Sequence, residues 1–165
     1  MIEYIEGVRL RDLTEGDLEF IIAVTKENMA PLIKDAWGLD WGRDFEERYT
    51  KELLSSGVVK VVYSSNELIG YFWFSEQADK SQVFINSIQL RKNYQKKGLG
   101  LCILKWIEQN AMNHKIQYLC LAVQEINPRA VKIYQRFGFR EVLRENGSIK
   151  MRKELGSRSR MDKPL

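Results

Sequence analysis

The sequence predicts an α/β fold, of the mixed-sheet α+β kind, with about seven strands flanked by four helices in the order β-α-α-β-β-β-α-β-α-β-β. Two observations support this prediction most directly. Residues 83–90 form an apolar run, which is followed by a polar turn and an apolar-rich helical segment over 99–112. Residues 116–123 are almost wholly apolar, as expected of a strand covered on both faces. These three segments predict a right-handed βαβ unit with parallel strands.

The first helix has a recognisable start and an expected end. Thr14, followed three residues later by Asp17, is a variant capping box after a short strand over 8–11. Proline inside a helix removes a backbone hydrogen bond, so we expect this helix to end close to Pro31. Residues 31–42 are then expected to form an irregular link.

The later elements follow from similar local signals. Asn127 and Pro128 start a helix, because asparagine is a good N-cap and proline at the first helical position needs no N–H. Gly138 is a suitable residue to end it. The other predicted elements are a helix over 44–54, a hairpin of strands over 58–63 and 68–75, and final strands over about 139–145 and 148–154.

Length and charge bound the class of protein. The 165 residues predict one domain over 1–155 and a basic, disordered tail over 156–165. The net charge of +4 belongs to the end of the chain, since the residues from Lys150 onward include six basic and two acidic side chains. Nucleic-acid binding is therefore not expected, because it favours basic residues gathered on a folded face. No apolar run approaches the ~20 residues of a membrane span, and no signal-peptide pattern is present, so we expect a cytoplasmic protein without a membrane partner.

The cysteines and the single histidine predict neither a disulfide nor a metal site. Cys102 and Cys120 lie within apolar segments and are expected to be small hydrophobic residues. His114 lies in a polar turn, where a surface position is expected.

A glycine-bearing loop precedes the helix over 99–112. Its segment, Gln95–Gly100, places two glycines at the helix start, where backbone N–H groups lack internal partners and favour phosphate. Lys96 and Lys97 add positive charge. The alternative is that the glycines serve only the turn and that the lysines are solvated. Ile103 stands where a dinucleotide fingerprint needs its third glycine, so that fingerprint is excluded.

Two segments carry a resemblance to a known family. Gln95-Lys96-Lys97-Gly98-Leu99-Gly100 fits a Q/R-x-x-G-x-G/A loop, and residues 127–139 are similar to an Asn-x-x-Ala…Tyr…Gly-Phe segment. In this order, about thirty residues apart, the two resemble the GNAT superfamily of acyl-CoA-dependent N-acetyltransferases. The resemblance covers residues 8–154.

The resemblance implies acetyl-CoA as co-substrate and no metal. The pantetheine arm would lie along strand 83–90, where this strand parts from strand 116–123, and a backbone N–H near Ile88 would stabilise the oxyanion. Tyr134 matches the position of a general acid that protonates the thiolate, although a tyrosine on an apolar helix face is also a common core residue. The implied cofactor-binding residues are Ile88, Gln89, Leu90, Gln95, Lys96, Lys97, Gly98, Leu99, Gly100, Asn127 and Arg129.

The central-strand glutamate that many members of the superfamily carry as general base has no counterpart in this sequence. The polar residues here are Asn86, Ser87 and Gln89. A carboxylate could act through water, or the amine could arrive partly deprotonated. The carboxylates available for this role are Glu27, Asp35, Asp40 and Glu125.

An acidic segment suggests the acceptor. Residues 27–47 contain six acidic and two basic side chains beside two tryptophans, which would suit a cationic amine. The alternative is two solvated helix ends with half-buried indoles. The residues suggested to contact the acceptor are Glu27, Asp35, Trp37, Trp41 and Asn86.

The resemblance therefore implies an N-acetyltransferase in which a primary amine attacks acetyl-CoA directly in a ternary complex. Polyamine-like amines, amino acids, and protein N-termini or lysines remain open as acceptors. The alternative is a non-catalytic acyl-CoA-binding sensor or interaction module, which the missing strand glutamate supports and Tyr134 opposes. A homodimer is an open possibility, since such domains often pair.

Overall fold

The computed structural model describes residues 3–5 and 7–156. Within these residues an eight-stranded sheet is flanked by four α-helices, and the predicted element order is confirmed with one short strand added at the start. The strands are β1 (Glu3–Ile5), β2 (Val8–Asp12), β3 (Val58–Ser64), β4 (Glu67–Gln77), β5 (Gln82–Leu90), β6 (Tyr118–Gln124), β7 (Arg140–Glu145) and β8 (Ser148–Glu154). The helices are α1 (Leu18–Trp37), α2 (Arg43–Ser55), α3 (Leu99–Asn113) and α4 (Pro128–Phe137). Of the tail predicted over 156–165, only Gly156 lies within the described residues.

The sheet is mixed, with the strand order β1-β2-β3-β4-β5-β6-β8-β7. Among the described strands only the central pair, β5 with β6, is parallel, and α3 connects these two strands. All other neighbouring strands in the described chain are antiparallel. The predicted βαβ unit is therefore the centre of the sheet.

Alternating side chains of the strands face two helical layers. On β4, Tyr71 and Trp73 belong to a buried cluster with Ile21 of α1 and Leu53 of α2. Phe72 and Phe74 face the opposite cluster, which includes residues of α3. This period of two is the ordinary consequence of strand geometry, and it leaves both sheet faces covered.

The start of α1 agrees with the sequence. Thr14 and Asp17 form the reciprocal capping box, and one turn of 3-10 helix precedes α1. Asp17 also accepts two hydrogen bonds from the guanidinium of Arg11, both at 2.8 Å. This pairing lowers the pKa of the Asp17 carboxyl, since it favours the charged form.

The expected end of α1 near Pro31 is wrong. The helix continues through Pro31 to Trp37 and ends at Gly38, whose φ of 65° is left-handed. The Gly38 N–H donates to the carbonyl of Lys34 at 2.8 Å, which closes the last turn. Burial of Ile33, worth about 2 kcal/mol, helps offset the hydrogen bond that proline removes. The irregular link is thus shorter than expected.

The central strands part at one position. Pairing of β5 with β6 extends from Gln82 opposite Tyr118 to Ile85 opposite Leu121, and both strands continue beyond it. At the same position the pairing of β5 with β4 shifts by one residue, so that Asn86 is the extra residue of a β-bulge. A bulge bends its strand, and this bend accompanies the separation of β5 from β6.

The remaining sequence expectations concern the thiols and the histidine. Cys120 is buried and Cys102 half-buried, and neither forms a disulfide. Burial raises the pKa of the Cys120 thiol. His114 lies exposed at the end of α3, with Nδ1 at 2.9 Å from the Glu76 carboxylate. In the part of the chain that the structure describes, no helix is long and apolar enough to cross a membrane.

Candidate active site

The separation of β5 and β6 opens into a large cleft. Its volume is ≈ 2190 Å³, and it is lined by the diverging strand ends and by all four helices. Such a cleft at the carboxyl ends of parallel strands is a common ligand site in sheets of this kind.

The free edge of β5 presents backbone groups to this cleft. The Leu90 carbonyl faces it and accepts hydrogen bonds from the Asn28 side-chain amide and the Gln95 side-chain amide, both at 2.9 Å. Residues two apart in a strand direct their backbone groups to the same edge, so the N–H of Ile88 faces the same side. Pairing with β6 ends at Ile85, and β6 therefore provides no partner for this N–H.

The loop before α3 has an exposed backbone. Lys96 has a φ of 63°, and Gly98, with a φ of 83°, is the N-cap of the 15-residue helix α3. A Cβ atom added at Gly98 or Gly100 would meet nothing within 4 Å, so the backbone borders open space. The first N–H groups of a helix favour anions, and this arrangement suits a pyrophosphate.

Side chains of the loop are placed unequally. Gln95 and Lys96 line the cleft with the two glycines, whereas Lys97 and Leu99 do not. The Lys97 ammonium instead lies 5.7 Å from the centre of the Tyr94 ring. Asn127 and Arg129 line the cleft from α4, and Asn127 Oδ1 accepts the N–H of Ala130 at 3.3 Å, which confirms the predicted cap.

Tyr134 lies on α4 with its ring half-buried in an edge-to-face contact with Phe139, the ring centres being 5.8 Å apart. It lines the cleft, and its hydroxyl forms no hydrogen bond among the described residues. No buried side-chain polar atom in these residues lacks a partner, so the unbonded hydroxyl is accessible rather than sealed in the core. Burial of the ring raises the pKa of the Tyr134 phenol, which therefore keeps its proton at neutral pH.

The residues suggested to contact an acceptor are divided. Glu27 and Asn86 line the cleft, but Asp35, Trp37 and Trp41 do not. The Trp37 indole N–H donates to the Asn146 carbonyl at 2.8 Å, and that of Trp41 donates to Glu46 at 2.6 Å. Both indole N–H groups therefore form hydrogen bonds outside the cleft.

Most of the possible general bases lie away from the cleft. Asp40 is exposed and paired with Lys34 at 2.8 Å, and Glu125 is paired with Arg144. Of the four carboxylates considered from sequence, only Glu27 lines the cleft, where its carboxylate lies 3.7 Å from the Lys92 ammonium.

Sequence reasoning missed a cluster of hydroxyl groups behind the cleft. The hydroxyl of fully buried Tyr71 lies 2.5 Å from Thr25 Oγ1, 2.6 Å from the Tyr49 hydroxyl and 3.4 Å from Ser87 Oγ. Thr25, Tyr49 and Ser87 line the cleft, while Tyr71 lies beneath them. Burial raises the pKa of the Tyr71 phenol. The helical spacing of Phe45, Tyr49 and a leucine predicts a packing face, and no sequence signal shows that one hydroxyl would reach the cleft.

A chain of amides joins this cluster to the loop before α3. Gln89 Nε2 donates to Ser87 Oγ at 3.1 Å, and Asn28 Nδ2 donates to Gln89 Oε1 at 3.0 Å. Gln95 Nε2 donates in turn to Asn28 Oδ1 at 3.2 Å. Through these hydrogen bonds the polar side chains of β5 fix the position of α1 relative to the loop before α3.

Comparisons with known proteins agree with this architecture. The acetyltransferase (GNAT) family matches residues 26–139. A probable spermine N(1)-acetyltransferase of Bacillus subtilis subsp. natto is 33% identical over 103 residues, which cover 57% of this chain and 68% of the relative. A spermine/spermidine N(1)-acetyltransferase of Bacillus subtilis is 32% identical over 103 residues, which also cover 57% of this chain and 68% of the relative.

Solved structures show the same fold at lower identity. The PaiA N-acetyltransferase of Thermoplasma acidophilum, solved in complex with coenzyme A, gives a TM-score of 0.70 at 19% identity, covering 89% of this chain and 98% of that one. PH1933 of Pyrococcus horikoshii gives 0.72 at 20% identity, covering 90% and 99%. The family match spans more than half of the chain and confirms the resemblance carried by the loop and the α4 segment. This chain belongs to the acetyltransferase (GNAT) family and is an N-acetyltransferase.

Proposed function

We propose that this protein transfers the acetyl group of acetyl-CoA to a primary amine of a small, cationic, polyamine-like acceptor by direct attack in a ternary complex. One observation carries the proposal. β5 and β6 part after Ile85 and leave the edge of β5 open beside the N-terminus of α3. A thioester and an amine can therefore meet at the centre of the sheet.

The residues present fit acetyl-CoA, which supplies a thioester-activated acetyl group. The backbone of Gly98 and Gly100 leaves room for a pyrophosphate, with Gln95 and Lys96 beside it. Asn127 and Arg129 hold the opposite wall of the cleft on α4. The pantetheine arm would lie along the free edge of β5 between Ile88 and Leu90, while its use of the Leu90 carbonyl would require displacement of the Asn28 and Gln95 amides.

The side chains and backbone divide the chemistry between them. The Ile88 N–H donates a hydrogen bond to the carbonyl oxygen on which negative charge develops as the amine attacks. The Tyr134 hydroxyl donates its proton to the sulfur of the departing thiolate. The proton that the amine loses passes to water in the open cleft, since β5 carries no glutamate and Glu27, which lines the cleft, is paired with Lys92.

Three features support a cationic acceptor. The carboxylate of Glu27 lines the cleft. The rings of Phe45 and Tyr49 line it as well, stacked 6.1 Å apart, and aromatic faces attract ammonium groups. Two of the relatives that match this chain carry the names of spermine and spermidine acetyltransferases.

The test is thiol release from acetyl-CoA with spermidine, spermine, amino acids, aminoglycosides and short peptides. We expect kcat/KM for a polyamine to exceed that for neutral amino acids by at least about tenfold. Glu27→Gln should raise the KM for spermidine several-fold, whereas Glu47→Gln, in an exposed pair with Arg43, should not. A peptide as the best substrate would replace the polyamine class, and absence of coenzyme A binding would refute the assignment of the loop.

A further inference from the structure

The direction of each hydrogen bond in the hydroxyl cluster can be assigned from a fixed end. Thr25 Oγ1 lies 2.6 Å from the carbonyl oxygen of Ile21. A carbonyl only accepts, so Thr25 donates its single hydroxyl proton there. In the 2.5 Å contact between Thr25 and Tyr71, Tyr71 must then be the donor.

The same argument extends to the cleft. Tyr71 has given its only proton to Thr25, so Tyr49 donates to Tyr71 across 2.6 Å and Ser87 donates across 3.4 Å. The direction at Ser87 is consistent with its other contact, since its oxygen accepts from Gln89 Nε2. Tyr49 thus has no proton left to donate, and its oxygen has no further hydrogen bond among the described residues.

We propose that Tyr49 positions the acceptor amine, because its phenolic oxygen can accept a hydrogen bond from an amine N–H but cannot donate one to the cleft. This inference rests on the proposed function and names the contact that would hold the reacting nitrogen. The ring of Tyr49 stacks with that of Phe45 and makes an edge-to-face contact with Trp73, the ring centres being 6.1 and 5.7 Å apart. The Tyr49 oxygen can accept a hydrogen bond from an N–H group, whereas a group that can only accept finds no donor there.

The cluster orients the amine without removing its proton. With the directions assigned above, Ser87 donates to Tyr71, so a proton arriving at Tyr49 would be passed on through Tyr71 and Thr25. That route ends at the Ile21 carbonyl, which does not take a proton. An N–H bonded to Tyr49 leaves the nitrogen lone pair free to face the thioester carbon. Tyr49 is therefore a substrate-positioning residue and not a general base.

The first test is Tyr49→Phe, assayed with spermidine. We expect the KM for spermidine to rise about tenfold, while kcat, the KM for acetyl-CoA and the pH profile of kcat stay within about twofold. Tyr63→Phe is the matched control. Tyr63, like Tyr49, packs against the buried cluster that contains Tyr71 and Trp73, but it bonds Arg11 and does not line the cleft. It should leave the spermidine KM unchanged.

The second test reverses the polarity without touching Tyr49. Valine in Thr25→Val has nearly the shape of threonine but accepts nothing, so Tyr71 becomes free to donate to the Tyr49 oxygen. Tyr49 would then turn its own proton to the cleft and repel an N–H donor. The spermidine KM should rise as it does in Tyr49→Phe, although the ring and its packing are unchanged.

A binding measurement separates this inference from the proposed function. Protonated N,N-dimethylbutylamine and butyltrimethylammonium carry the same charge, but only the first has an N–H. By NMR titration of the coenzyme A-loaded protein, we expect the wild type to bind the first about fivefold more tightly, and Tyr49→Phe and Thr25→Val to lose this preference.

Each outcome decides one of the two proposals. Equal affinity of the wild type for both ions, or an unchanged spermidine KM in Tyr49→Phe, overturns the role of Tyr49. A fall in kcat with a displaced pH profile overturns it too, because Tyr49 would then handle a proton. A preference for the N–H ion without turnover of any amine refutes the proposed function and leaves Tyr49 as a donor-selecting contact.

Discussion

Tyr134→Phe tests the proposed acid with little disturbance of the fold. The substitution removes only the hydroxyl, which forms no hydrogen bond among the described residues, and keeps the ring packed on Phe139. We therefore expect no measurable change in the free energy of unfolding by thermal denaturation. The Kd for coenzyme A, measured by calorimetry, should likewise stay unchanged.

The expected loss in turnover follows from how readily the thiolate departs without a proton. General acid catalysis contributes roughly 10²–10⁴-fold, and a thiolate, with a pKa of about 8.5, is a better leaving group than an amine or alkoxide. The loss should thus lie at the lower end, about 10²-fold in kcat, or about 2.7 kcal/mol in the activation free energy.

The pH profile gives an independent check on Tyr134. The pKa of the Tyr134 phenol is raised by burial, so the acid form is present at neutral pH and is lost only as the pH rises through that value. Wild-type kcat should therefore fall at a pH above about 10, and this decline should be absent in Tyr134→Phe. A kcat within threefold of the wild type, with both profiles alike, would exclude Tyr134 as the acid.

Three further predictions concern the loop, the sheet and the start of α1. Gly98→Val should weaken coenzyme A binding about 10²-fold in calorimetry, because the side chain would occupy the open space beside the backbone and oppose a φ of 83°. Gly70→Ala should lower the free energy of unfolding by about 3 kcal/mol and Tm by about 10 °C, since a Cβ would lie 2.4 Å from the Gln89 carbonyl oxygen. Asp17→Asn should cost about 2 kcal/mol at pH 7, because Asp17 bonds Arg11 twice. The lowered pKa of Asp17 makes this difference constant above about pH 5 and smaller as the pH falls through the folded-state value.

Each of these predictions has a contradicting result. Unchanged coenzyme A affinity in Gly98→Val would place the pyrophosphate elsewhere. A Gly70→Ala protein with wild-type Tm would mean that β5 shifts freely behind the cleft. For Asp17→Asn, a stability difference that persists unchanged at pH 2 would attribute the loss to packing rather than to charge.

Local sequence signals were sufficient for the elements whose ends depend on near neighbours. Asn127 and Pro128 start α4 where predicted, and Gly98 ends the loop before α3 in a left-handed conformation. Thr14 and Asp17 start the first helical segment in the same way. These features require contacts within three or four residues only, so composition and spacing identify them.

Pro31 shows where local reasoning stops. The hydrogen bond lost at proline is a local cost, and it predicts a helix end. Burial of Ile33 and the closing contact of Gly38 lie beyond it, and part of their contribution comes from the rest of the fold. Helix α1 consequently continues to Trp37, and the indole lies on the β7–β8 turn instead of in the cleft.

The sequence by itself determined the family, the element order, the loop at Gly98 and the α4 segment with Tyr134, because each depends on residues close together in the chain. Only the tertiary structure decided where β5 leaves β6 and which hydroxyl faces the acceptor. Thr25, Tyr49 and Tyr71 come from two helices and a strand, and the polarity of their bonds is set by a single backbone carbonyl. Such a direction exists only once all the partners are in place, since each hydroxyl has one proton to give.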